Sequence, residues 1–225
     1  MRSVVIPDLH GHSEFLEQVL LAYPGRRFVL LGDYVDRGPD SPGVVRRVRE
    51  LVEAGDAVAL VGNHDLMMMQ ALLDRNEEIR EVWLANGGHD TVRQYHAQHD
   101  TPQAARRAML LDAEWMRAHL QSWVVEGDVL LAHAARPDLA RPERLGYVWD
   151  RPGGDVHPLP AGCTVSVHGH TPTQILLDDD APEPVVMDHG PLGVAWYIDV
   201  GVFFSGSLCV LDLEDMQPVL FQQDG

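Results

Sequence analysis

Aspartate and histidine recur in short polar turns, each placed directly after an apolar run. The turns are Asp8-Leu9-His10-Gly11, Gly32-Asp33-Tyr34-Val35-Asp36-Arg37-Gly38, Gly62-Asn63-His64-Asp65, His133, and His168-Gly169-His170-Thr171-Pro172. Carboxylate oxygen, amide oxygen and imidazole nitrogen, with no thiolate among them, suit Mn2+, Fe2+ or Zn2+. Any one of these turns is equally well read as ordinary helix capping by Asp or Asn. Gathered into one small volume they are different, because so many carboxylates and imidazoles would cost several kcal/mol in desolvation and repulsion without a cation. Two divalent ions about 3.5–4 Å apart across a shared carboxylate would polarise a phosphate and acidify a bridging water.

The elements must then bring the turns together. Val4–Ile6, Phe28–Leu31 and Ala57–Val61 read as strands, each emptying into one polar turn and followed by a helix. The first helix runs from about Ser13 to Tyr23, with Phe15, Leu16, Val19 and Leu20 on one face. The second starts at Ser41-Pro42, where Ser41 offers a capping hydroxyl, and Gly55 stops it. This alternation predicts a largely parallel sheet with helices packed on it, and ligands bind at the carboxyl edge of such sheets. Residues 66–120 read as a helical, cap-like segment within a single domain spanning 1–225, broken at Asn86-Gly87-Gly88 and restarted at Thr101-Pro102. Gly127-Asp128 reads as a two-residue hairpin turn. The remainder is strand-rich, and Asp178–Pro184 reads as a solvated hairpin tip.

Composition excludes several classes. The 225 residues are 45% hydrophobic and 23% charged, as in ordinary globular chains, but the formal net charge is -17. That excess disfavours long nucleic acid and anionic membrane as partners. Cys163 and Cys209, each in an apolar stretch, read as buried thiols rather than a disulfide. No segment has the length of a signal or spanning helix, which points to a cytoplasmic protein. Met67-Met68-Met69 reads as helical core. His12, His89, His96, His99, His119, His157 and His189 show no ligand spacing, although His189 lies in a loop that could rim a pocket.

Taken in order, the five motifs resemble those of the calcineurin-like metallophosphoesterases, and more narrowly of their bacterial serine/threonine phosphoprotein-phosphatase branch. Trp83–Gly88 and Tyr197–Gly201 followed by Gly206-Ser207-Leu208 extend the resemblance from Val4 to nearly the end of the chain. It implies a four-layer α/β/β/α sandwich of two mixed β-sheets flanked by helices. It further implies two metal ions, Mn2+ first and Fe2+ or Zn2+ next, one held by Asp8, His10 and Asp33. Asp33 would bridge to the second, held by Asn63, His133 and His170. His64 would be the general acid, with Asp36 orienting it and raising its proton affinity. Arg37 and Arg151 would clamp the phosphate, with Asn63 and His64 also in contact with it. A metal-bridging hydroxide would attack phosphorus in line. Arg37 pairing with Asp36 or Asp40 is the plainer alternative, and His168 is expected to hydrogen-bond within its strand rather than bind metal.

Two positions depart from the family pattern: Pro7 precedes the first aspartate in place of glycine, and Val200 stands where threonine is expected. Phosphoserine or phosphothreonine in proteins is the first substrate expectation. A diadenosine tetraphosphatase-type dinucleoside polyphosphate hydrolase is the second, and a nucleotide phosphodiesterase the third. The non-enzymatic alternative, a silent metal-binding regulatory module, would be marked by loss of a ligand or of His64.

Overall fold

Val4–Ile6 (β1), Phe28–Leu30 (β2) and Ala57–Ala59 (β3) pair in parallel, with Val4 opposite Phe28 and Phe28 opposite Ala57. The computed structural model describes residues 2–223. Alternation along these strands is apolar on both faces. Val4, Ile6, Phe28 and Leu30 point to a core shared with the helices, whereas Val5, Val29 and Leu31 point to a second core. Such strands must be covered on both sides, and each buried aliphatic side chain contributes roughly 1.5–3 kcal/mol.

The helical side is covered by Ser13–Ala22 (α1) and Ser41–Ala54 (α2), which bury Phe15, Leu16 and Val19, and Val44, Val45 and Val48 respectively. The cap of α2 differs from expectation. Asp40 is the capping residue, its carboxylate accepting from Gly43 N at 3.0 Å, while Ser41 Oγ accepts from Asp36 N at 3.1 Å. Ser41 thus anchors the preceding turn rather than its own helix. Asn63–Leu72 (α3), Glu77–Trp83 (α4), His89–Ala97 (α5) and Pro102–His119 (α6) follow. A π-helical turn at Leu84–Gly88 joins α4 to α5, with Gly87 at φ 117°. Met67, Met68 and Met69 lie in the helical core.

Trp123–Glu126 (β4) and Val129–Ala132 (β5) form the expected hairpin. Val165–His168 (β6), Val185–Asp188 (β7) and Val194–Tyr197 (β8) complete a second sheet in the order β4-β5-β6-β8-β7. The first sheet gains Ser207–Asp212 (β9) and Gln217–Gln222 (β10), in the order β10-β9-β1-β2-β3. Both sheets are mixed: β1-β2-β3 and β5-β6-β8 are parallel, and the outer pairings are antiparallel. The chain is therefore two five-stranded mixed sheets packed face to face and flanked by helices, with Val5, Val29, Leu131, Val167 and Leu211 between them.

Two further expectations change. Asp178–Pro184 is not a hairpin tip; it links the short helix Thr173–Leu177 (α8) to β7. Cys163 is half-buried at a turn, whereas Cys209 is buried in β9, and both thiols are free. Two short helices remain, Gly146–Trp149 (α7) and Val202–Ser205 (α9). Among the described residues no helix is long and apolar enough to cross a membrane.

Candidate metal centre

Parallel pairing puts the carboxyl ends of β1, β2 and β3 on one edge, and those of β5 and β6 on the matching edge of the other sheet. Cross-sheet bonds close the gap. His133 Nδ1 donates to Leu31 O at 3.0 Å, and His170 N donates to Asp8 Oδ1 at 3.0 Å. The approach is tight enough that a Cβ on Gly169 would collide with the Asp8 carboxylate, and one on Gly62 with that of Asp33. His10, Asp33, Asp36, Arg37 and His170 all have φ between 42° and 75°. Left-handed backbone costs non-glycine residues of order 1–3 kcal/mol each, so the surrounding bonds must hold these turns.

Asp65 supplies much of that hold. It is fully buried, and its carboxylate accepts from Asp33 N at 2.8 Å, Tyr34 N at 3.0 Å and Gly62 N at 3.0 Å. Burial pushes its pKa up to about 7, although those backbone N–H groups pull it down. In the sequence Asp65 is marked only by its place three residues after Gly62, where an acidic side chain can reach back to the start of a helix.

The donors converge on Asp33. Its Oδ2 lies 3.6 Å from His10 Nε2 and its Oδ1 3.6 Å from His133 Nε2, so the two oxygens face two different imidazoles. His10 Nδ1 donates to Val35 O at 2.9 Å and His133 Nδ1 to Leu31 O, so each Nε2 of the neutral rings carries a lone pair and no proton, that of His10 accepting from Arg37 Nη1 at 2.8 Å. Asn63 Oδ1 sits 3.1 Å from His133 Nε2 and 2.9 Å from His170 Nδ1. Turning the Asn63 amide over would let its two N–H groups serve both rings but would still leave Asp33 facing imidazole lone pairs. His170 Nε2 is buried without a partner. Carboxylate oxygens facing two imidazole lone pairs with no proton between them fit divalent cations, and the oxygen and nitrogen donor set agrees.

Two groups of donor atoms emerge, each with all atoms within 4.8 Å of one another: His10, Asp33 and His64, and Asp33, His133 and His170. Asp33 belongs to both. The second brings together Asp33, His133 and His170, with Asn63 beside them. The first has His64 where Asp8 was expected; Asp8 leans toward the other side, with His133 Nδ1 at 3.9 Å.

Electrostatics follow burial. It pushes Asp8 and Asp33 well above the usual carboxylate range, with Asp199 adding at Asp8 and Asp8 adding at Asp33. It holds His10 and His133 well below the usual imidazole value, and His170 at about 4 with the Arg151 charge contributing. A cation among these groups would offset the cost of keeping the carboxylates charged.

His64 Nδ1 donates to Asp36 Oδ2 at 2.7 Å. Asp36 was expected to raise His64, but burial outweighs that bond and the net shift is downward. The Asp36 carboxylate is itself shared, accepting from Trp83 Nε1 at 3.0 Å on each oxygen and from Thr91 Oγ1 at 2.7 Å. Arg37 pairs with neither Asp36 nor Asp40; it donates to His10 Nε2 at 2.8 Å and His64 Nε2 at 3.0 Å. Its guanidinium lies over the Phe203 ring at 4.4 Å, a platform the sequence did not suggest. Arg151 is exposed, and its charge acts on His170 and Asp199. His168 Nδ1 donates to Ala132 O at 3.0 Å, across to β5 rather than within its own strand.

A family model described as calcineurin-like phosphoesterase matches residues 1–222. The sequence is 26% identical to bis(5'-nucleosyl)-tetraphosphatase PrpE [asymmetrical] of Geobacillus sp. (strain WCH70), over 97% of this chain and 93% of that one. It is 36% identical to a symmetrical bis(5'-nucleosyl)-tetraphosphatase of Nitrosomonas europaea, over 60% of this chain and 44% of that one. Among solved structures, a protein serine/threonine phosphatase from Saccharomyces cerevisiae superposes with TM-score 0.62 at 12% identity, covering 100% of this chain and 81% of that one. A family match that spans both sheets and every turn of the donor cluster settles the assignment: the chain belongs to the calcineurin-like phosphoesterases.

Proposed function

We propose that the protein is a two-metal phosphoesterase that hydrolyses dinucleoside polyphosphates. The observation that carries the two-metal reading is the Asp33 carboxylate, whose oxygens face His10 on one side and His133 on the other. Asp33 would bridge, His10 would hold one ion with Asp8 near, and Asn63, His133 and His170 the other. Mn2+ is the first candidate, with Fe2+ or Zn2+ next, because both free thiols stand outside the donor groups. Bound there, the cations would supply Lewis-acid polarisation of a phosphoryl group and a readily deprotonated water.

The chain's own residues would do the rest. Arg37 presents two donors toward the cluster and would grip phosphoryl oxygens, aided by Arg151 and Asn63. His64 is fixed through Nδ1 by Asp36; with Arg37 turned from its Nε2 to the phosphoryl group, Nε2 would take up a proton from water and deliver it to the leaving oxygen. Phe203 holds the Arg37 plane.

The substrate choice rests on the relatives, several of which are named bis(5'-nucleosyl)-tetraphosphatases. The phosphoserine or phosphothreonine reading, first by sequence, keeps only a fold likeness at 12% identity. With Mn2+-loaded protein, kcat/KM on diadenosine tetraphosphate should exceed that on a phosphoserine peptide by at least tenfold. The reverse order would return the protein-phosphatase reading to first place.

A further inference from the structure

Arg136, three residues beyond His133, is only 4% exposed, yet it forms no ion pair among the described residues. Its Nε donates to Ser166 Oγ at 2.9 Å and its Nη1 to Leu192 O at 2.6 Å, both uncharged acceptors. Its Nη2 is buried with no partner at all. The chain carries 34 acidic residues against 17 Lys and Arg, so an acidic neighbour was easily available. The partly buried Arg26 and Arg49 have such neighbours, in Asp212 and Asp112. A buried guanidinium left without a counter-charge points to an anion that comes from outside.

A cavity of about 340 Å³ opens beside it, near the lower end of the range for ligand sites. Arg144 and Arg151 line its wall with His157 and His189, and His189 Nε2 is a second buried polar atom without a partner. Asp150 and Asp155 also line it and are exposed, as are Arg144 and Arg151, so the one charge buried in the wall is that of Arg136. Arg151 is shared: it lines this cavity, and its charge acts on His170 of the metal cluster.

We propose that the Arg136 cavity is a second anion subsite, which takes phosphate groups of a polyphosphate substrate lying beyond the one at the metal cluster. It rests on, and deepens, the dinucleoside polyphosphate reading. A phosphate monoester has nothing to place there. A polyphosphate chain would run from the Asp33 cluster past Arg151 to Arg136 Nη2, with its charges met by arginine in an otherwise acidic protein.

Inhibition of p-nitrophenyl phosphate hydrolysis at saturating Mn2+ tests the subsite without assuming the substrate. Tripolyphosphate should inhibit the wild type at least tenfold more tightly than inorganic phosphate. Arg136→Gln, which keeps hydrogen-bond donors and removes the charge, should shrink that gap to within threefold. Arg144→Ala, on the exposed wall, should at least halve it and covers the case in which Arg136→Gln fails to fold. Equal inhibition by the two anions in the wild type, or an undiminished gap in folded variants, would overturn the subsite. Failure to cleave diadenosine tetraphosphate with the gap intact would instead overturn the function reading alone.

Discussion

Asp33 is the residue on which the site turns. It sits at φ 55°, is 2% exposed, and accepts from His64 N at 2.9 Å while facing His10 and His133. The same contact thus fixes the carboxylate proposed to bridge and sets the backbone of the candidate acid. His64 is held at the other end by Asp36, whose charge is spread over Trp83 and Thr91, and that sharing positions the ring more than it charges it. His64→Asn should lower kcat by roughly 10²–10⁴, the range for general-acid catalysis. The loss should be larger for an alkyl phosphate than for p-nitrophenyl phosphate, whose leaving oxygen scarcely needs a proton. An equal loss on both substrates would make His64 a metal ligand, in keeping with its place beside His10 and Asp33, rather than an acid.

At the scale of elements, the β2 and β3 turns are locked together by the first turn of α3. Asp65 collects backbone donors from both turns, so Asp65→Asn sets an amide N–H against at least one of them. Urea unfolding should show a loss of roughly 1–3 kcal/mol, the cost of a buried donor left unsatisfied. An unchanged midpoint would mean that the turns hold themselves. These contacts also mark what the sequence could and could not disclose. The turns after β1, β2, β3, β5 and β6 were legible because each pairs an apolar run with a local polar signature. Helix α6 was announced by Thr101-Pro102, and the β4–β5 hairpin by Gly127-Asp128. The bond from Trp83 to Asp36 was not legible, because it joins residues 47 positions apart across the helical segment. Arg136 was hidden for the same reason: its acceptors, Ser166 and Leu192, lie in β6 and before β8. Helix α8 and strand β7 escaped because α8 has five residues and β7 is a short edge strand, too brief for periodicity to show. Asp40 rather than Ser41 capping α2 was a choice between adjacent good caps, with the Ser41 hydroxyl instead engaged by Asp36 N and Thr91 Oγ1.

For the whole molecule, the acidic balance and the buried carboxylates make cation binding a stability term. A ligand at a hundred times its Kd stabilises the folded state by about 2.7 kcal/mol. In a chain of this size each kcal/mol moves Tm by about 2–4 °C, so saturating Mn2+ should raise Tm by roughly 5–10 °C over chelator-treated protein. The increment should shrink in Asp33→Asn. A Tm indifferent to metal would mean that the buried acids are accommodated by protonation instead, as their raised pKa values permit. The two sheets meet through Leu31 and Asp8, at the contacts made by His133 and His170, so metal binding would also tie one sheet to the other.

Divalent metal content together with anomalous scattering from Mn2+-soaked crystals bears most directly on the two-metal centre. Two ions per chain are predicted, one on each side of the Asp33 carboxylate, toward His10 and toward His133. A single ion, or peaks lying away from Asp33, would contradict the account.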